Sequence, residues 1–107
     1  MDIAQLCKDA HQVALEKGWY DPPKSFGEMI LMCHSELSEV VEDYRKHGFD
    51  DYYENGGKPC GVQIELADLL IRVADLCENY NFDIESAIRS KMEYNKTRSR
   101  RHGNKIL

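Results

Sequence analysis

The chain has no C-x-x-C pair, no glutamate followed three residues later by histidine, and no glycine loop long enough to cradle a phosphate; Gly56-Gly57-Lys58 is too short. These absences work against a zinc ribbon, a bridged di-iron bundle and a P-loop nucleotidase, each of which is built on such spacings. There is no excess of positive charge: 19 acidic residues face 14 basic ones for a net charge of −5, so no nucleic-acid partner is expected. No apolar run approaches a membrane span, and Met1-Asp2-Ile3-Ala4-Gln5 has neither a basic n-region nor an apolar h-region. No membrane partner and no signal peptide are therefore expected. Cys7, Cys33, Cys60 and Cys77 are widely spaced and read as free thiols in a reducing cytoplasm.

What is present is a helical pattern. At 107 residues, with 42% hydrophobic and 31% charged residues, the chain has room for one domain, 1–107. Apolar periodicity and capping residues predict four helices, about Asp2–Lys17, Phe26–His47, Cys60–Tyr80 and Ile84–Arg98. Ser25-Phe26-Gly27-Glu28 has capping-box spacing, and Asp83 is a plausible N-cap. Residues 49–59 carry turn formers without apolar periodicity and read as a loop; residues 99–107 read as a basic tail. The expected fold class is all-α, a four-helix bundle-like protomer that self-associates. A third helix this apolar is hard to bury within four short helices, so self-association, a homodimer at the least, is expected.

Two acidic pairs share one spacing, Glu36-Leu-Ser-Glu39 and Glu65-Leu-Ala-Asp68. Residues three apart lie on one helix face, so each pair aims two carboxylates in one direction. On the third helix Glu65, Asp68, Arg72, Asp75 and Asn79 fall within a stripe roughly 80° wide on an otherwise apolar surface. Charge on a buried helix requires a cleft, a metal or basic partners. Asp75 either adds a ligand or pairs with Arg72. Four convergent carboxylates suit Mg²⁺, with Mn²⁺ as a possible substitute, better than zinc. A cluster of cations between Arg89 and Lys105 (Arg89, Lys91, Lys96, Arg98, Arg100, Arg101, Lys105) suits a polyanionic ligand. Each pair taken alone more often marks a solvated face.

Ile30 to Glu42, followed by Ile64-Glu65-Leu66-Ala67-Asp68-Leu69-Leu70-Ile71-Arg72, resembles the MazG-type nucleotide pyrophosphohydrolases, whose pattern is E-x-x-E, a gap, then E-x-x-D. Here 25 residues separate Glu39 from Glu65. Lys91-Met92-Glu93-Tyr94-Asn95-Lys96-Thr97-Arg98 resembles the K-x-x-Y-N-x-x-R element of many members. The resemblance covers about residues 26–103. It implies an all-α, Mg²⁺-dependent enzyme, assembled as a homodimer or homotetramer, that converts a nucleoside triphosphate, ribo or deoxy, to monophosphate and pyrophosphate in house-cleaning of the nucleotide pool. It further implies Glu36, Glu39, Glu65 and Asp68 as metal ligands, Glu36 or Glu39 as the base that activates water, and Lys91, Asn95, Tyr94 and Arg98 as substrate contacts. Trp19, in a loop, is a candidate for stacking on the base. The alternatives are a phosphoribosyl-ATP pyrophosphohydrolase-like enzyme and a non-catalytic metal- or nucleotide-sensing helical bundle.

Overall fold

In the computed structural model, residues 1–98 are described; the basic tail expected at 99–107 lies outside them. Four helices account for most of this length: α1 (Ile3–Glu16), α2 (Phe26–His47), α3 (Val62–Asn79) and α4 (Ile84–Thr97). Their starts follow local chemistry. The Asp2 carboxylate accepts from the Gln5 N–H at 2.7 Å, and the Asp83 carboxylate accepts from the Ser86 N–H at 3.1 Å. At Ser25 the box is reciprocal in part: Oγ accepts from the Glu28 N–H at 3.1 Å and lies 3.2 Å from the Glu28 carboxylate. Helix α2 stops at Gly48, which takes φ +61 while its N–H closes the last turn onto the Tyr44 carbonyl.

The stretch read as a loop is partly a hairpin. Strands β1 (Tyr52–Glu54) and β2 (Lys58–Cys60) pair antiparallel, with Tyr52 opposite Cys60 and Glu54 opposite Lys58. The turn uses Gly56 and Gly57, both at positive φ. Three-residue strands are too short to show alternation, so no periodicity announces them. The fold is thus mainly helical with one small strand pair, and α3 starts two residues later than expected because Cys60 is taken into β2.

Helices α1 and α2 both pack on α3, whereas α4 rests mainly against α1 and buries none of its residues. The core is built from small or slender side chains, Cys7 and Ala10 of α1, Met29 of α2, and Ala74, Leu76 and Cys77 of α3. Helix α3 is not buried all round: its buried residues, Ala74, Leu76 and Cys77, all lie toward its C-terminal end. Leu66, Leu70 and Ile71 are exposed, as are Leu31, Leu37 and Val41 on α2. Four free cysteines are present, three of them buried. Among the described residues no helix is long and apolar enough to cross a membrane.

Candidate functional site

The crossing of α2 and α3 brings together one oxygen each from Glu36, Glu65 and Asp68, all within 4.8 Å of one another. Glu36 and Glu65 are half-buried and Asp68 is exposed, so the trio sits at the lip of the interface and not inside the core. Helical spacing explains the convergence: Glu65 lies in the first turn of α3, with Asp68 one turn later on the same side. The Glu65 carboxyl titrates above its ordinary range, first because burial penalises its charge, then because Asp68, Asp43, Glu36 and Glu39 surround it with like charge. A divalent cation would relieve that repulsion, and three carboxylates at a half-open lip match the oxygen donors that Mg²⁺ and Mn²⁺ take.

Glu39 is exposed, one turn along α2 from Glu36, and stands outside the close trio while still adding to the field at Glu65. The trio also has an internal counter-ion. Arg72 donates from Nε to Glu36 Oε1 at 2.6 Å, and its guanidinium lies 4.1 Å from the centre of the Trp19 ring. Any cation at the trio therefore shares Glu36 with a guanidinium that does not lose its proton.

Asp43 follows Glu36 and Glu39 along the acidic face of α2, and the structure gives it a structural task. Its carboxylate accepts from the Tyr52 hydroxyl at 2.5 Å and from the Gly61 N–H at 3.3 Å, so one side chain of α2 ties down both the hairpin and the start of α3. That bond to Asp43 pushes the Tyr52 hydroxyl well above its usual range. Gly61 is required at this joint: at φ +128, a Cβ would fall 2.8 Å from Asp51 Oδ1 and 3.2 Å from backbone atoms of Asp50 and Asp51. The joint fixes where α3 begins against α2, and with it the approach of Glu65 to Glu36.

Lys91 and Tyr94 lie on α4 and Arg98 caps its end, and both cations gather at the Tyr94 ring. Lys91 Nζ lies 5.0 Å and Arg98 Cζ 5.5 Å from the centre of the Tyr94 ring. Asn95 is exposed on the same helix. The protomer does not bring this element against the trio, because α4 packs on α1 while the trio belongs to α2 and α3.

Trp19 lines a cavity of about 510 Å³ between α1 and α3, within the size range of small-molecule sites. Ala10, Val13 and Ile71 give it apolar walls; Asp68, Arg72 and Asp75 supply polar ones. Asp68 thus belongs to both the trio and the cavity, and Arg72, also in the cavity wall, is paired with Glu36 of the trio. Asp75 neither pairs with Arg72 nor joins the trio: its Oδ1 accepts from the Tyr20 hydroxyl and lies beside His11 Nδ1, each at 2.8 Å. The His11 and Tyr20 rings meet edge to face at 5.2 Å. Burial, followed by the bond to Asp75, drives the Tyr20 hydroxyl far up. Helical spacing puts Asp75 on the acidic stripe, but nothing in the sequence alone pairs it with residues 55 and 64 positions away.

No family model, curated protein or solved structure matches this chain.

Proposed function

We propose that this chain is a Mg²⁺-dependent nucleoside triphosphate pyrophosphohydrolase of the MazG type, releasing pyrophosphate and a nucleoside monophosphate. The observation that carries this reading is the meeting of Glu36, Glu65 and Asp68, members of both acidic pairs, at one point. Mg²⁺ held there would supply charge neutralisation and Lewis acidity toward the triphosphate. Glu36 is already engaged by Arg72, whereas Glu39 is exposed beside the trio, which makes Glu39 the better proton acceptor. Water attacks the α-phosphorus, its proton passes to the Glu39 carboxylate, and the bond from the α-phosphorus to the bridging oxygen breaks as pyrophosphate leaves. Arg72 holds Glu36 in place and offers cationic charge at the edge of the polyanion.

Lys91, Asn95, Tyr94 and Arg98 reach the substrate, in this reading, from a second copy of the chain. The support is twofold. Helix α4 has no buried residue of its own, and Leu31, Leu66 and Leu70 stand 66%, 41% and 62% exposed on the two helices that carry the acids. Apolar surface of this extent on a small protomer is what self-association covers. A homodimer is the smallest assembly that does so.

One observation favours a second reading, a bundle that senses metal or nucleotide without turnover. The Arg72–Glu36 ion pair occupies a position a catalytic cation would need. The experiment that separates the two is pyrophosphate release from a panel of nucleoside triphosphates with Mg²⁺, for the unaltered protein and for Glu39→Gln and Asp68→Asn. Release that disappears in both folded variants supports the enzyme; no release from any triphosphate with Mg²⁺ or Mn²⁺ overturns it.

A further inference from the structure

We infer that the cavity between α1 and α3 receives the nucleobase and that Asp75 makes it select bases carrying an exocyclic amino group. This rests on the triphosphate reading for the placement of the phosphates, and adds what lies at the other end of the ligand.

The cavity and the trio are continuous through shared side chains. Asp68 contributes to both, and Arg72 joins Glu36 at the trio to the Trp19 ring in the cavity wall. A nucleotide with its phosphates at the trio has its organic part directed here. The apolar lining, Ala10 and Val13 from α1, Ile71 from α3 and the Trp19 ring, suits an aromatic base. The polar lining is unequal in kind. Asp9, Asp68 and Asp75 are acceptors when ionised, and the one cation, Arg72, is already engaged by Glu36 and the Trp19 ring. Such a lining favours donors on the ligand and opposes carbonyl oxygens.

Asp75 is the most firmly held of these acceptors. Its side chain is 14% exposed, and the Tyr20 hydroxyl and His11 Nδ1 both meet Oδ1. Oδ2 takes neither bond and, on this inference, serves the ligand. Two donors from α1 and the loop after it fix the carboxylate's rotamer, so it is oriented before any ligand arrives. An amino group gains a charge-assisted hydrogen bond at that oxygen; a carbonyl in the same place sets lone pair against lone pair.

The test compares two base pairs in which an amino group is exchanged for a carbonyl: dCTP with dUTP, and dATP with dITP. The ratio of kcat/KM within each pair is measured for the unaltered protein and for Asp75→Asn. The amino member is expected to lead by at least about tenfold in both pairs. Asp75→Asn is expected to collapse that ratio, because an amide can meet either group. A structural role alone would lower both rates and leave the ratio intact. Binding of dCMP and dUMP is followed in parallel through Trp19 fluorescence, which reports on this cavity because Trp19 is the chain's one tryptophan. Tighter binding of dCMP without hydrolysis of any triphosphate keeps the base inference and overturns the enzyme reading. Hydrolysis with equal rates inside each pair, or with a ratio unmoved in folded Asp75→Asn, keeps the enzyme and overturns the inference. Should Asp75→Asn fail to fold, the two ratios of the unaltered protein decide alone.

Discussion

Replacing Arg72 by methionine keeps the stem that packs between α2 and Trp19 and removes the charge. In the protein, Arg72 and Glu36 have side chains 26% and 14% exposed, and their contact is 2.6 Å. Breaking a buried ion pair from one side costs about 3–5 kcal/mol; partial exposure brings this pair down to about 2. Loss of the guanidinium from the face of Trp19 adds about 0.5–1 kcal/mol. The sum, about 3 kcal/mol, corresponds to a fall in Tm of roughly 10–15 °C for a domain of this size. The same substitution leaves Glu36, Glu65 and Asp68 without their internal cation. Divalent metal should therefore stabilise Arg72→Met more than the unaltered protein, with a gain of about 2.7 kcal/mol when Mg²⁺ reaches 100 times its dissociation constant. Thermal unfolding with and without Mg²⁺, followed by circular dichroism, gives both numbers. A loss below about 5 °C would refute the importance of the pair for the fold. Equal stabilisation of both proteins by Mg²⁺ would refute the idea that guanidinium and metal compete for Glu36.

Three further outcomes follow from the same geometry. Because the Glu65 carboxyl is raised above its ordinary 4.5 by burial and then by its acidic neighbours, the stability tied to its protonated form is fully present below that ordinary value and is lost as pH rises through the raised one. Urea midpoints of the metal-free protein should therefore fall from mildly acid pH toward neutrality, and Glu65→Gln should flatten that slope; an unchanged slope would remove Glu65 as its source. Gly61→Ala should cost about 2–3 kcal/mol in urea unfolding, since both the positive φ and the 2.8 Å approach to Asp51 oppose a side chain; a neutral result would mean that the hairpin joint is soft. Leu70→Glu, on the exposed face of α3, should turn the proposed dimer into a monomer in sedimentation while keeping its helical signal; an unaltered protein already monomeric at micromolar concentration would sink the proposal that a second copy completes the site.

The helices were legible because their signals are local. Asp2, Ser25 and Asp83 cap within three residues, and Gly48 stops α2 where the apolar period ends. The trio was half legible: E-x-x-E and E-x-x-D spacing says which carboxylates share a helix face, but only the crossing of α2 and α3 says that Glu36, Glu65 and Asp68 meet while Glu39 stands aside. The residues that set this crossing were not legible. Asp43 reads as one more acid on an exposed face, and its bonds to Tyr52 and Gly61 span 9 and 18 residues through a hairpin too short for any period. Asp75 reads as a further ligand or a partner for Arg72 until His11 and Tyr20 arrive from another helix and its following loop. A pattern of charges along a helix fixes direction, whereas partnership depends on which neighbour occupies the groove. Arg72 makes the point most sharply. On α3 alone it lies between Asp68 and Asp75 and could serve either, yet it turns to Glu36 of α2, because Asp75 is already held by Tyr20 and His11 and Glu36 would otherwise be a half-buried charge without a partner.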